Sequence, residues 1–330
     1  LSGGNITYSW TNDNSNIGLS NAGTGNIDVI ATNTSNQPIT GNIVVTPSFE
    51  NGGNTNIGDP ITFTITVNPT GQVSVSDAIQ VLSNGFDTNQ IAFSTSNIGG
   101  TTTYNWTNSD TSIGLAASGS GNINAFTAIN TGTSPVTSNL NVIGTFENNG
   151  VSCVGPSVPF EITVNPTAQV DQTNDIIVSN GDNVNVPFTT VNTGGTSTYN
   201  WTNSDPTIGL ADSGFGNIVF TAVNTGTSPI TTTVVVTPTF ENDGDSNSGP
   251  SDTFTITINP TAQVNTINGI VLCNGDNTST FTFTTENTGG TTTYNWTNDN
   301  TSIGLASSGS DSINSFVVVN STTTAQVATI

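Results

Sequence analysis

Lysine, arginine and histidine are absent from all 330 residues, while aspartate and glutamate number 22, so the formal net charge is −22. Ordinary usage would put roughly 40 basic residues in a chain of this length. No ion pair between side chains is therefore available anywhere in the sequence. Nucleic acid is excluded as a partner, because that affinity rests on Lys and Arg neutralising phosphates. An anionic membrane surface repels the chain for the same reason. Isopeptide bonds, which need lysine, are excluded too. Methionine is also absent, and only two cysteines occur. No apolar run approaches the length of a membrane-spanning helix, so no transmembrane segment is expected. No signal-peptide pattern is present either.

Aromatic residues are few, at 7 %, and polar Thr, Asn, Ser and Gly fill most of the sequence. Such a composition borders on disorder, which is expected where aromatic and β-branched residues are scarce. Here Ile, Val and Thr are abundant, Phe numbers 15, and they fall in alternating runs. That pattern favours folded β structure.

The sequence repeats. YSWTNDNSNIGL around Trp10 returns as YNWTNSDTSIGL, YNWTNSDPTIGL and YNWTNDNTSIGL around Trp106, Trp201 and Trp296, at spacings of 96, 95 and 95 residues. A second marker, Asn-Pro-Thr, begins at Asn68, Asn165 and Asn259. A period of this size is a whole domain rather than a solenoid unit. The expected divisions are 1–70, a repeat lacking its N-terminal part; 71–167 and 168–261, both complete; and 262–330, lacking its C-terminal part. The short link through NPTAQV carries a proline, which limits bending between neighbours.

Within a repeat the apolar period is two. Phe63, Ile65 and Val67 alternate with Thr62, Thr64 and Thr66. Alternation of this kind marks half-buried strands. Turn signals such as NTGG at 192–195, NGD at 180–182 and SGSGN at 118–122 separate them. About seven strands per repeat predict an all-β, Ig-like antiparallel β-sandwich, repeated in tandem as an elongated array.

All the Trp and Tyr residues occur as Tyr-x-Trp: Tyr8 and Trp10, Tyr104 and Trp106, Tyr199 and Trp201, Tyr294 and Trp296. Positions i and i+2 of a strand share a face. These eight residues are expected to form the structural core. An exposed sugar-stacking platform is the competing assignment.

Tyr-x-Trp on the third strand resembles the PKD-type domain, although the Asp-Phe-Gly-Asp-Gly continuation of that family is replaced here by Thr-Asn. The longer string YNWTN-x-x-x-x-IGLA, with closing runs such as FTITINPTAQV at 254–264, resembles the repeats of giant Bacteroidetes surface adhesins of the gliding-motility SprB type. That resemblance covers essentially the whole chain. It implies secretion through the type IX system, display at the cell surface and a role in adhesion. It brings no catalytic residues.

No enzyme is expected. General acid-base chemistry usually falls to His, Lys or a perturbed carboxylate, and the first two are missing. Glu50, Glu147 and Glu241 fill one Phe-Glu-Asn slot in three repeats, which reads as a solvent-facing position. Calcium is the cofactor that the acids permit: Asp243, Asp245 and Asn247 place oxygens at alternate positions. The competing reading is a solvated turn, since the other repeats read ENGGNTNIG and ENNGVSCVG. Cys153 and Cys273 lie in different repeats at different places, so no disulfide between them is expected. A parent repeat carrying cysteine at both places would bridge them internally, and Cys273 would pair beyond Ile330.

The expected function is a structural or adhesive stalk or filament segment of a large secreted surface protein. Its partners would be neighbouring repeats of the same longer chain, further subunits in a self-assembled filament, or surface polysaccharide. Two alternatives stand beside it: a carbohydrate-binding module, and a subunit of an extracellular fibre completed by strand donation. At about 3.3 Å per residue along a strand, the array would span on the order of 140 Å.

Overall fold

The computed structural model describes residues 3–330; Leu1 and Ser2 of the first repeat lie outside the described residues. The elements are strands and four single-turn 3-10 helices. The chain divides into two compact units. The first holds the residues up to Thr167 together with Asn192–Thr196 and Phe240–Asn247; the second holds Ala168–Val191, Ser197–Thr239 and Ser248–Ile330.

In the first unit, one sheet runs in the order Ser118–Ser120, Thr101–Asn108, Val136–Asn148, Val151–Asn165 and Ile79–Ser83. The last pair is parallel, with Ser83 opposite Asn165. The sheet is thus mixed, which departs from the purely antiparallel expectation. The opening strand of the repeat docks on the free edge of the closing strand, and this covers an edge that would otherwise stay unpaired. The facing layer is slight: Ser74–Val75 pairs Phe93–Ser94, and single bridges join Ile91 to Ile123 and Asp87 to Thr127. Ile91, Phe93, Trp106, Leu140, Val142, Phe160, Ile162 and Val164 fill the space between the layers. The first repeat has a sheet in which Asn5–Asn12 pairs Ile39–Asn51, around a smaller cluster of Trp10, Ile17, Leu19 and Ile43.

The second unit repeats the plan. Ile176–Ser179 runs parallel to Asp252–Asn259, which pairs Ile230–Asn242. Asn183–Val186 and Ile218–Thr221 form the opposite layer. Val184, Val186, Phe188, Trp201, Val234, Phe254, Ile256 and Ile258 lie between them. Outward-facing threonines meet across the strands at the same place in three repeats: Thr40 with Thr66, Thr137 with Thr163 and Thr231 with Thr257, at 2.8–2.9 Å. Threonine fits this position, since β-branched polar residues suit the wet face of a pleated sheet.

Each tryptophan lies against a glycine of the adjacent short strand. Trp10 is paired with Gly23, Trp106 with Gly119, Trp201 with Gly214 and Trp296 with Gly309. A Cβ on any of these glycines would overlap the indole Cζ2. Of the SGSGN segment, read above as a turn, Ser118–Ser120 is therefore a strand whose glycine makes room for the ring, and the bend follows at Gly121, with φ of 70°.

Two residues beyond each tryptophan, Asn12, Asn108, Asn203 and Asn298 are buried. Their amides donate to the carbonyls of Leu19, Leu115, Leu210 and Leu305 at 2.7–3.0 Å. Their Oδ1 atoms accept from the backbone two residues on. The residue two places on, Asn14, Asp110, Asp205 or Asn300, caps the 3-10 turn, and Gly18, Gly114, Gly209 or Gly304 ends it in the left-handed region. The W-T-N…I-G-L string is thus one loop, closed by a buried asparagine that replaces missing backbone partners.

Candidate functional site at the repeat junction

Among the described residues, no group of three or more acidic, His or Cys side chains is placed to hold a metal. Of the proposed calcium ligands, Asp245 accepts from Ser83 Oγ at 2.6 Å and from Asn165 Nδ2 at 3.2 Å. Asn247 Nδ2 donates to Ser83 Oγ and to the Pro166 carbonyl, each at 3.0 Å. Asp243 accepts from Asn242 at 3.2 Å. The first two side chains are thus engaged in holding one repeat against the next. Glu50, Glu147 and Glu241 are exposed.

Trp10, Trp106 and Trp201 are only 7–8 % exposed, so their rings offer no face for a sugar to stack on. Trp296, Tyr104, Tyr199 and Tyr294 are half-buried, and the last three lean on Phe93, Phe188 and Phe283. Tyr8 departs from the core expectation at 49 % exposure. Burial pushes the Tyr104 and Tyr199 hydroxyls above their ordinary pKa.

What recurs is the junction. Between the first and second repeats, Ile98 N–H donates to the Asn36 carbonyl at 2.9 Å, and Asn97 Nδ2 donates to the Thr70 carbonyl at 3.2 Å. Asn68 and Asn148 join through Asn148 Nδ2 to Asn68 Oδ1 at 3.0 Å, and Asn68 Nδ2 reaches the Asn148 carbonyl at 3.2 Å. The same set returns further along the first unit. Thr193 donates to Thr133 at 2.9 Å, Asn192 to Thr167 at 3.2 Å, and Asn165 and Asn242 make the reciprocal amide pair at 3.0 and 3.2 Å. Within the second unit, Thr288 donates to Thr227 at 2.8 Å and Asn287 to Thr261 at 3.2 Å.

A glycine two residues after Asn97, Asn192 and Asn287 fixes the approach. Gly99, Gly194 and Gly289 have φ of 78°, 77° and 76°. A Cβ on them would lie 3.0, 2.9 and 2.8 Å from Cδ of Pro38, Pro135 and Pro229. Backbone in this region and a proline ring this close both require glycine. Each neutral hydrogen bond contributes about 0.5–1.5 kcal/mol net, so several per junction are enough to restrict bending. Amides do here what ion pairs do in chains that have cations.

Cys153 and Cys273 are free thiols, half-buried and exposed respectively. The internal bridge imagined for a parent repeat is ruled out by the strands. Ser83, at the position of Cys273 in its own repeat, lies opposite Asn165, while Cys153 lies near the other end of the same strand, Val151–Asn165. Twelve residues at about 3.3 Å each put them roughly 40 Å apart.

In the fourth repeat, Ile267, Leu272, Phe281, Phe283, Phe316 and Val318 line an open groove of about 580 Å³. In the third repeat, the strand bearing Phe254, Ile256 and Ile258 packs in the core.

No protein-family model matches the chain, and no curated protein matches it. Solved structures do. The three N-terminal domains of the bacteriophage RB49 highly immunogenic outer capsid protein are 15 % identical over 78 % of this chain and 89 % of theirs, with a TM-score of 0.36. Mouse cadherin-23 EC22-24 is 12 % identical over 78 % and 86 %, with a TM-score of 0.30. Mouse protocadherin-24 EC1-3 is 15 % identical over 77 % and 90 %, with a TM-score of 0.29. Likenesses at this level carry no argument about function. No helix among the described residues is long and apolar enough to cross a membrane.

Proposed function

We propose that the chain is a non-catalytic segment of a tandem array, a stalk or adhesive arm displayed outside the cell. The observation that supports this most is the recurrence of one junction, with the same asparagines, glycine and proline in equivalent places. An array that carries load or projects a tip gains from junctions that resist bending, whereas an enzyme gains nothing from repeating them. The lack of Lys and Arg leaves no site for trypsin-like proteases, which suits an exposed surface. Secretion by the type IX route and a gliding-adhesin role belong to this reading through the sequence resemblance. The test is immunogold labelling of intact cells with antibody to this chain. Label on unpermeabilised cells, lost after treatment with proteinase K, is expected; label only after permeabilisation contradicts the proposal.

A second reading, a fibre completed by strand donation, has one observation in its favour: the apolar groove of the fourth repeat. Its occupant would be a strand with the alternating pattern of Thr253–Asn259, supplied by another subunit. A synthetic peptide of residues 253–261 should bind this chain saturably. The same peptide with Asp at the Phe254 and Ile256 positions should not.

A further inference from the structure

The position that carries Cys153 in the second repeat carries Asn247 in the third, as the aligned segments ENNGVSCVG and ENDGDSNSG show. The position that carries Cys273 in the fourth carries Ser83 in the second, 23 residues before the tryptophan in both. The structure brings these two positions together across a junction: Asn247 Nδ2 lies 3.0 Å from Ser83 Oγ, and Ser83 is 3 % exposed. Within one repeat they stand at opposite ends of a strand. We propose that the junction is a covalent cross-linking site, where cysteine at the early position of one repeat and cysteine at the late position of the next form a disulfide. Cys153 and Cys273 are each one half of such a bond: the partner of Cys153 falls at the early position of the first repeat, ahead of Leu1, and that of Cys273 at the late position of the repeat after the fourth.

A second feature supports the assignment. Where the late residue is Asn247, Asp245 two places earlier accepts from Ser83 at 2.6 Å. Where the late residue is Cys153, that place is Val151. A carboxylate there would hold a neighbouring thiol protonated and slow its oxidation; valine removes that obstacle. Two members of the hydrogen-bonded trio, Asp245 and Asn247, are thus exchanged together for Val151 and Cys153. The chemistry is thiol–disulfide exchange with a low-molecular-weight disulfide such as oxidised glutathione. One cysteine thiolate displaces a glutathione thiolate to form a mixed disulfide. The second displaces the other, so two thiols and one external disulfide become one protein disulfide and two glutathione thiols.

The proposal rests on the array reading, since both partner cysteines belong to chain on either side of these residues, but its test uses only this chain. In a C153S/C273S background, the S83C/D245V/N247C variant is incubated with oxidised glutathione. Loss of both titratable thiols in a monomer, with a mass lower by two hydrogens, is expected. Persistent thiols, stable glutathione adducts or links only between molecules overturn the proposal. Should that variant fail to fold, S83C/N247C with Asp245 retained gives the same readout more slowly. The within-repeat control, S83C with native Cys153 and C273S, keeps both thiols; a link there overturns the junction assignment. Failure here would leave the surface-label result of the array reading untouched.

Discussion

The indole of Trp106 packs against Gly119, its cross-strand partner, where a Cβ would come within 2.2 Å of Cζ2, leaving no room for a side chain. The same pairing holds at Trp10, Trp201 and Trp296. Gly119→Ala should therefore destabilise its repeat by about 1–3 kcal/mol, the range of overpacked cores. Trp106→Ala should cost about 3–5 kcal/mol. Urea titrations of near-ultraviolet circular dichroism would measure both. An alanine at 119 without effect would show that the ring is free to move aside.

Asn192 is buried and donates across a junction to Thr167 at 3.2 Å. Asn192→Ala leaves carbonyls without their amide partner, at about 1–3 kcal/mol. The core clusters do not contain it. The expected signature is faster cleavage at the linker around 165–170 by a broad-specificity protease, with a smaller change in core melting. Uniform destabilisation instead would mean that the junction and the cores unfold as one.

Asp110 and Asp205 cap their 3-10 turns, and hydrogen bonds from Ser112 and Thr207 hold both carboxyls below the ordinary aspartate pKa. A depressed folded pKa contributes stability above the unfolded value, and this is lost as pH falls through the folded one. Asn14 and Asn300 do the same work in the other two repeats. The D110N/D205N double variant should match the parent near pH 7 and lose less stability than the parent below about pH 4. Melting curves across pH 2–7 would show it. An equal fall in both proteins would remove the caps from the acid response.

With a net charge of −22 and no cations, added salt has no ion pair to weaken. It only screens like-charge repulsion, over about 10 Å at 0.1 M. The melting temperature should rise as NaCl increases from low concentration. A fall would show that charge contributes attraction that the sequence does not contain.

The period, the strand alternation and the burial of three tryptophans were legible because each is a repeated local pattern, and repetition multiplies weak signals. The junction was not. Asparagine is an ordinary turn residue, and Asn165 and Asn242, 77 residues apart, carry no mark of their pairing. Gly119 was hidden for the same reason, since a glycine that admits a ring looks like one that makes a turn. Asp245 and Asn247 showed ligand-type spacing, yet their partners, Ser83 and Asn165, lie in the preceding repeat. Tyr8 looked like its three counterparts, yet it is 49 % exposed, whereas each of those leans on a phenylalanine.

Small-angle X-ray scattering of the 330-residue chain in dilute solution tests the array directly. A compact globule of this length would have a radius of gyration of about 20 Å. A row of repeats spanning on the order of 140 Å would give about 40 Å, from strands rising 3.3 Å per residue. A value near 40 Å, unchanged by salt, is the expected result. A value near 20 Å would contradict the tandem stalk.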